Sequence, residues 1–262
     1  EPEEHHRDEH QPQEVEQQAL GSCLEHKLHN PDAADGIYPI RSAEHDYLAY
    51  CDMSADGGGW ELVLRASSAS SAFDFDSAYW TDDQLLGAEL ASFDPAADED
   101  AKLASFLHAP LDEIRGCLGG TAEADCKTYA GVFDGYDSAR QLFAEAPVGS
   151  EGLQFTESAE EAQGWLTING MSCSDASACS WVGSGVNLAD DLSSYQAAVR
   201  FGILLNNEPN IVTANDAVGF GVKDAGGTSV GAGHAMCCSV LSPSSGTLWV
   251  RGTASQSQQY SE

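Results

Sequence analysis

The chain has 262 residues, which is enough for one large domain or two small ones, and 42% of them are apolar, which is sufficient for a buried core. Forty-two acidic residues against 11 basic ones give a formal charge of −31, which disfavours nucleic acid and anionic membrane as partners and favours cations. The sequence has no run of 18 apolar residues, so no membrane-spanning helix is expected. Two explanations of the acidic composition stay open: solubility in salty surroundings, and collective concentration of calcium.

Residues 1–20 are predicted to form a flexible acidic segment. The first 13 of them contain two prolines and almost no apolar side chains, so they cannot bury enough surface to become ordered. The segment is interpreted as a stalk, or as the start of a mature secreted chain from which a signal peptide has been removed. His5, His6 and His10 fit either a solvated linker or a transition-metal site.

The most distinctive motif lies at residues 50–60, where three consecutive glycines precede Trp60. Apolar and polar residues alternate after it, and this period predicts a half-buried strand at residues 60–65. Before it, residues 35–40 are predicted to form a turn and a short strand, and residues 45–50 its partner strand. Glycines allow backbone angles closed to other residues and let another segment lie close. The motif therefore predicts a compact β unit near the start of the chain.

The rest of the chain is typical of an α+β protein with many irregular loops. An acidic first turn and helical spacing predict a helix at residues 82–90 with Thr81 as its N-cap, and a second short helix is predicted at residues 101–107. Serine- and glycine-rich pieces predict loops at residues 67–71 and 226–229, and long loops are where a binding site is expected. Alternation and β-branched content predict four further strands, at residues 114–118, 164–168, 198–205 and 247–251.

Eight cysteines, an even number without the paired spacing that zinc requires, indicate an oxidising compartment. Short connecting loops favour two local disulfides, Cys117–Cys126 and Cys173–Cys179. Cys237 and Cys238 are adjacent, and a disulfide between neighbours strains the peptide bond. These two therefore favour separate partners, in which case the local pairings would be partly wrong.

Four segments near the start form a characteristic series: Ser22-Cys23, residues 35–40, residues 50–53 and residues 57–60. This series resembles the opening of fibrinogen C-terminal-like domains, as in bacterial and invertebrate fibrinogen-like proteins and in the intelectins, or X-type lectins. Later segments extend the similarity from Ser22 to Arg251; they are residues 75–81, 111–115, 202–208, 216–221 and 248–251.

The resemblance implies a particular α+β fold. It consists of a small N-terminal β unit stapled by a Cys23–Cys51 disulfide, a central twisted antiparallel sheet with short helices, and long irregular loops. The domain would span residues 21–253, followed by a flexible tail at residues 254–262. The setting implied is secreted or cell-surface.

A non-enzymatic function is predicted, because no known catalytic motif is recognisable. The sequence has no nucleophile elbow, no zinc-protease motif, no Walker loop and no glycine-rich dinucleotide turn. Asp74 and Asp76 have the chemistry of a glycosidase pair, but such pairs arise by accident among 42 acids.

Calcium is the cofactor that the sequence favours, because this hard cation takes six to eight oxygen ligands, often from a loop after a strand. Asn206, Asn207 and Glu208 supply oxygens at the end of an apolar strand, and Asn215 and Asp216 follow shortly afterwards. In the intelectins the matching Asn-Asn-Glu segment lies beside a calcium that also grips a sugar diol. The resemblance therefore implies Asn206, Asn207, Glu208 and Asp216 as metal ligands. The alternative is that these residues cap a strand and form Asx turns.

The part of the chain that would complete an intelectin site departs from the family pattern. The Asn-x-Glu-His-His-Cys run of intelectins corresponds here to residues 231–238, which contain a single histidine and no acid. His234 and Asn215 are the candidate ligand-binding residues, although a loop histidine without either role fits equally well. The aromatic wall of the intelectin pocket and the vertebrate fibrinogen calcium loop have no clear counterpart.

Two functions therefore stay open. The first is a secreted, calcium-dependent carbohydrate-binding domain whose partners are extracellular glycans. The second is a structural or adhesive extracellular domain that binds cell-surface proteins, in which disulfides and calcium serve stability only. Neither involves nucleic acid or a membrane span, and both leave oligomerisation open.

Overall fold

The computed structural model describes most of the chain between residues 19 and 252. The described ranges are 19–42, 45–87, 89, 93–120, 125–131, 133–149, 152–155, 165–166, 180–190, 197–206, 214–236 and 240–252. Except for residues 19 and 20, both predicted flexible ends lie outside these ranges, and the predicted domain boundaries stay predictions. Among the described helices, none has the length and apolar character needed to cross a membrane.

Short helices and antiparallel strands make up the described structure. Three α-helices are present in it: α1 (Cys23–His29), α2 (Ala104–His108) and α3 (Ala139–Glu145). The strands are β1 (Gly36–Arg41), β2 (Asp46–Asp52), β3 (Trp60–Ala66), β4 (Ala101–Lys102), β5 (Glu113–Leu118), β6 (Cys126–Ala130), β7 (Leu153–Gln154), β8 (Ser180–Ala189), β9 (Ala198–Asn206), β10 (Asp216–Lys223), β11 (Ser229–Met236), β12 (Val240–Pro243) and β13 (Gly246–Arg251).

The strands form two sheets that share one core. The first sheet has the order β1-β2-β3-β13-β5-β6 with β4 beside β3, and the second has the order β12-β11-β10-β9-β8-β7. The largest apolar cluster contains Val63 and Ile114 from the first sheet and Phe201 and Phe220 from the second. A Cβ on Gly116 would lie 2.3 Å from the Phe201 ring, so the two sheets approach closely here. This two-sheet architecture with short helices agrees with the predicted α+β class.

The glycine motif closes the N-terminal β unit as the sequence predicts. Cys23 at the start of α1 is joined to Cys51 in β2. Gly58 and Gly59 have φ of 76° and 82°, and a Cβ on Gly58 would lie 2.3 Å from the Met53 carbonyl oxygen. Only glycine fits at that position, because a side chain would overlap the backbone.

A buried carboxylate connects this unit to β3. Glu61 accepts hydrogen bonds from the Cys23 backbone N–H and the Tyr47 hydroxyl, both at 3.0 Å. Burial raises the pKa of Glu61 to about 7, and the two donors only partly oppose that rise.

The second disulfide, Cys117–Cys126, joins the ends of β5 and β6 and confirms the pairing expected from loop length. The remaining four cysteines, Cys173, Cys179, Cys237 and Cys238, lie outside the described residues.

The second sheet curls because a row of glycines crosses it. Gly185, Gly202, Gly219 and Gly233 are cross-strand neighbours in β8 to β11, and their φ angles run from 129° to 158°. A Cβ on any of them would lie about 2 Å from a neighbouring carbonyl oxygen. Side chains there would force the strands apart, so the row lets the sheet bend sharply.

The bend brings the two ends of β9 to the same place. A nine-residue strand normally spans about 26 Å or more. Nevertheless Ala197, just before β9, donates a backbone hydrogen bond to Ala214, just before β10, although β10 begins opposite the far end of β9. A small apolar cluster fills the inside of the curl; it contains Leu188, Ala197, Val199, Leu204, Ala214, Ala217, Val222 and Ala235.

Several sequence predictions of elements are confirmed and others are wrong. The strands at 114–118, 198–205 and 247–251 agree with β5, β9 and β13 to within one residue. The helix at 82–90 is wrong: the described residues there form bends and irregular backbone, and Leu86 instead exchanges backbone hydrogen bonds with Lys102. The helix at 101–107 begins only at Ala104, after β4, and at 164–168 the two described residues are helical rather than extended.

Candidate functional site

The predicted calcium ligands lie where β9 ends and β10 begins. Asn206 is the last residue of β9, and Asn215 and Asp216 stand at the start of β10. All three are buried, with exposed fractions of 0%, 7% and 0%. Asn207 and Glu208, the other two predicted metal ligands, lie outside the described residues.

These residues do not point to one common side of the sheet. Asp216 pairs with Leu205, whose side chain packs into the core between the sheets, whereas Ala217 packs inside the curl. Successive side chains of a strand alternate between faces. Asn206 is therefore directed to the inner side of the curl, and Asp216 to the opposite face.

The closure of the curl adds an acid that sequence reasoning missed. Asp190 follows β8, and its backbone N–H donates to the Ala197 carbonyl at 3.0 Å. Its Oδ2 accepts from the Ala214 N–H at 2.8 Å, and the Ala197 N–H donates to the Ala214 carbonyl at 3.3 Å. Asp190 therefore lies within a backbone junction that includes the residue immediately before Asn215.

Asp224 directly follows β10. Lys223, the last residue of that strand, pairs with Ala198, the residue after Ala197. Asp224 Oδ1 accepts from the backbone N–H groups of Gly226 and Thr228, at 2.9 and 2.7 Å, and so caps the β10–β11 turn. We call the group Asp190, Ala197, Ala214, Asn215 and Asp224 the seam.

Two oxygens of the seam are buried without a partner. Asn215 Oδ1 and Asp224 Oδ2 accept no hydrogen bond in the described part of the chain, and Asp224 is only 1% exposed. Buried polar atoms in native proteins are nearly always satisfied by protein, water or an ion, so these two acceptors call for a missing donor or cation.

The seam is not a site built from carboxylates and imidazoles alone. Within the described ranges, no group of three or more histidine, cysteine, aspartate or glutamate side chains is arranged to hold a metal. A cation there would need amide and carbonyl oxygens as well, which are ligands that calcium accepts.

His234 lies elsewhere, on β11, where it pairs with Val218 on one side and Ser242 of β12 on the other. It lines a cavity of about 340 Å³ together with residues from the end of the first sheet, including Asp125. His234 is half-buried, and this burial lowers the pKa of its imidazole. The sequence singled out His234 but not Asp125, because only the folding of two sheets onto each other brings them to one cavity.

Comparisons with known proteins leave the family open. No family model and no curated protein matches the chain. Among solved structures it is similar to the fibrinogen-like globe domain of human ANGPTL6, with 20% identity and a TM-score of 0.28. That similarity covers 40% of this chain and 45% of the other, so the chain matches less than half of that structure.

Proposed function

We propose that this chain is a secreted or cell-surface, non-enzymatic domain that binds extracellular glycans with the help of calcium, and that the calcium lies at the seam. The observation that carries the proposal is the pair of buried, unpartnered acceptor oxygens, Asn215 Oδ1 and Asp224 Oδ2. Leaving a buried acceptor unsatisfied costs about 1–3 kcal/mol, and a charged group costs more.

We propose that one calcium ion satisfies both oxygens. It binds six to eight oxygens from carboxylates, amides, main-chain carbonyls and water, and such groups occur around the seam. Asp190 supplies a further carboxylate there, and Asn206 is directed to the same inner side. The formal charge of −31 raises the local concentration of divalent cations. The role of sugar hydroxyls as the last ligands follows from the intelectin resemblance.

The test combines a calcium titration, thermal unfolding and a glycan array on one preparation. We expect saturating calcium to raise the melting temperature by about 5 °C, because a ligand at 100 times its dissociation constant stabilises by about 2.7 kcal/mol. Replacing Asp224→Asn keeps an Oδ1 acceptor for the turn but removes the charge, so it should abolish the calcium shift.

The matched control is Asp137→Asn, which makes the same charge change at an exposed residue. This variant should keep the full shift. Glycan retention in calcium that disappears on chelation supports the proposal, whereas binding unaffected by chelation, or no binding to a broad array, contradicts it.

A second function, structural or adhesive, is favoured by one observation. Asn206 and Asp224 are 0% and 1% exposed, which suits an ion that only stabilises the fold. In that case calcium raises the melting temperature while the array retains nothing, and the partner is a cell-surface protein.

A further inference from the structure

The cavity beside His234 has a well-defined construction. It lies between the end of β5 in the first sheet and the β11–β12 pair in the second. Its described lining consists of Leu118, Gly119, Asp125, Gly233, His234, Ser242, Pro243 and Ser244. Its volume of about 340 Å³ falls within the range of small-molecule sites.

Asp125 is held in position by its neighbours rather than by its own side chain. It precedes Cys126, whose disulfide to Cys117 ties it to β5, and its carbonyl accepts from Trp165 Nε1 at 3.1 Å. A Cβ on Gly120 would lie 2.5 Å from Asp125 Oδ2, so a glycine at that position leaves room for the carboxylate. The carboxylate itself has no hydrogen-bond or ion-pair partner within the described chain.

His234 and Ser242 face the cavity from one side of the second sheet. They are directly opposite each other in register, so their side chains lie on the same face. The imidazole makes no hydrogen bond within the described chain, and its lowered pKa keeps it neutral near pH 7. A neutral imidazole has one nitrogen that accepts a hydrogen bond. The Ser244 hydroxyl donates to the Ser245 carbonyl at 3.1 Å and can still accept.

The chemistry of this lining selects the charge of the ligand. Its polar groups are one carboxylate and several neutral acceptors, and the described lining includes no basic side chain. Anions such as phosphate are therefore disfavoured. A primary ammonium has three N–H donors, which match a carboxylate, an imidazole nitrogen and a hydroxyl oxygen.

We propose that the cavity lined by Asp125, His234 and Ser242 binds the primary ammonium group of an amino sugar. Asp125 supplies the opposite charge, His234 and Ser242 accept the remaining N–H groups, and the exposed Pro243 lies beside the sugar ring. The choice of a sugar rests on the proposed function, whereas the ammonium contact rests on the cavity alone. The site is separate from the seam and needs no calcium.

The experiment is a calorimetric titration of the full chain with three sugars of the same ring: glucosamine, glucose and N-acetylglucosamine. Glucose replaces the ammonium by a hydroxyl, and N-acetylglucosamine makes the nitrogen neutral. At about pH 7 we expect glucosamine to bind at least about tenfold more tightly than either, because hydrogen bonds to charged groups are the strong ones. Equal affinities for the three sugars overturn the proposal.

Two variants test whether the ammonium group binds at Asp125 and His234. Asp125→Asn preserves shape but removes the charge and should weaken glucosamine at least about tenfold, and His234→Gln should weaken it as well. The matched control Asp134→Asn, at an exposed residue, should change affinity less than about twofold. An equal loss in Asp125→Asn and Asp134→Asn would mean general attraction to an acidic protein and would overturn the assignment.

Chelation separates this proposal from the calcium proposal. Glucosamine binding should persist in EDTA, whatever the glycan array shows with calcium. Binding of glucosamine that disappears with calcium would move the contact to the metal and overturn the cavity site. Glucosamine binding without any calcium effect would support the cavity and contradict the calcium proposal alone.

Discussion

Individual buried polar residues differ in how many hydrogen-bond partners the fold supplies to them. Glu61 is fully buried and has two donors, whereas Asp224 has two donors on one oxygen and none on the other. The first arrangement connects the N-terminal unit to β3. The second is the arrangement on which the proposed calcium site is based. Burial alone therefore does not distinguish the two carboxylates; the count of partners per atom does.

Glu61 gives a pH dependence with a definite sign. Its folded pKa of about 7 exceeds its ordinary value of 4.5, so the folded state binds more protons between these values. Its contribution to stability is complete below about pH 4.5 and is lost as the pH rises through 7, by about 3 kcal/mol in total. Glu61→Gln should flatten this part of the curve of unfolding free energy against pH.

The control for this prediction is Glu89→Gln, at an exposed position. It should leave the pH profile unchanged, and the difference between the two variants isolates Glu61 from other titrating groups. A profile for Glu61→Gln parallel to that of the parent chain would refute the assignment.

The glycine row is the feature at the scale of elements that shapes the second sheet. β9 was predicted as a strand and placed to within one residue, whereas β10 was not predicted. The bend was not predicted, because a single glycine inside a strand can have several structural causes. Only the pairing register shows that four glycines lie side by side across the sheet.

Gly219→Ala tests the row. The new Cβ would lie 2.0 Å from the Phe201 carbonyl oxygen at a φ of 146°, so the strands must move apart. We expect a loss of about 3 kcal/mol or more in denaturant unfolding, since both overlap and backbone strain contribute. Gly227 also has a positive φ, but a Cβ added there would have no atom within 4 Å. Gly227→Ala should therefore lower the free energy of unfolding by only about 1 kcal/mol. Equal losses would refute the role of the row.

The helix predicted at residues 82–90 shows why local pattern failed for another element. Its acidic first turn and apolar spacing fit a helix, yet Lys102 Nζ donates to the Asp82 carbonyl and carboxylate at 2.6 and 3.0 Å. Leu86 also exchanges backbone hydrogen bonds with Lys102. These contacts with a residue later in the chain satisfy backbone groups of residues 82 and 86 that a helix would have satisfied with its own hydrogen bonds.

The charge of the whole molecule is its main long-range property. A formal charge of −31 repels itself in the compact state, and salt shortens the range of this repulsion from about 30 Å at 0.01 M to about 10 Å at 0.1 M. In EDTA, the melting temperature should therefore rise by several degrees between about 0.01 M and 0.5 M NaCl. Choline chloride should act equally if screening is the cause; a flat or falling curve contradicts it.

The sequence by itself determined the features that depend on neighbouring residues. The glycine motif, the short Cys117–Cys126 loop and the strands β1, β2, β3, β5, β9 and β13 follow from local backbone preferences and hydrophobic periodicity, whereas α1 and the other strands were not predicted. Cys23–Cys51 was available through the family resemblance. The sequence singled out Asn215 and His234 as candidate residues. It did not predict which residues lie beside them in the fold.

Only the tertiary structure decided the composition of the two candidate sites. Asp190 accepts a hydrogen bond from Ala214, the residue before Asn215, because the glycine row curls one sheet, and Asp125 and His234 line one cavity because two sheets pack face to face. In each case the contacting residues are far apart in the chain. Their meeting depends on sheet register and curvature, which arise from the packing of all the strands together.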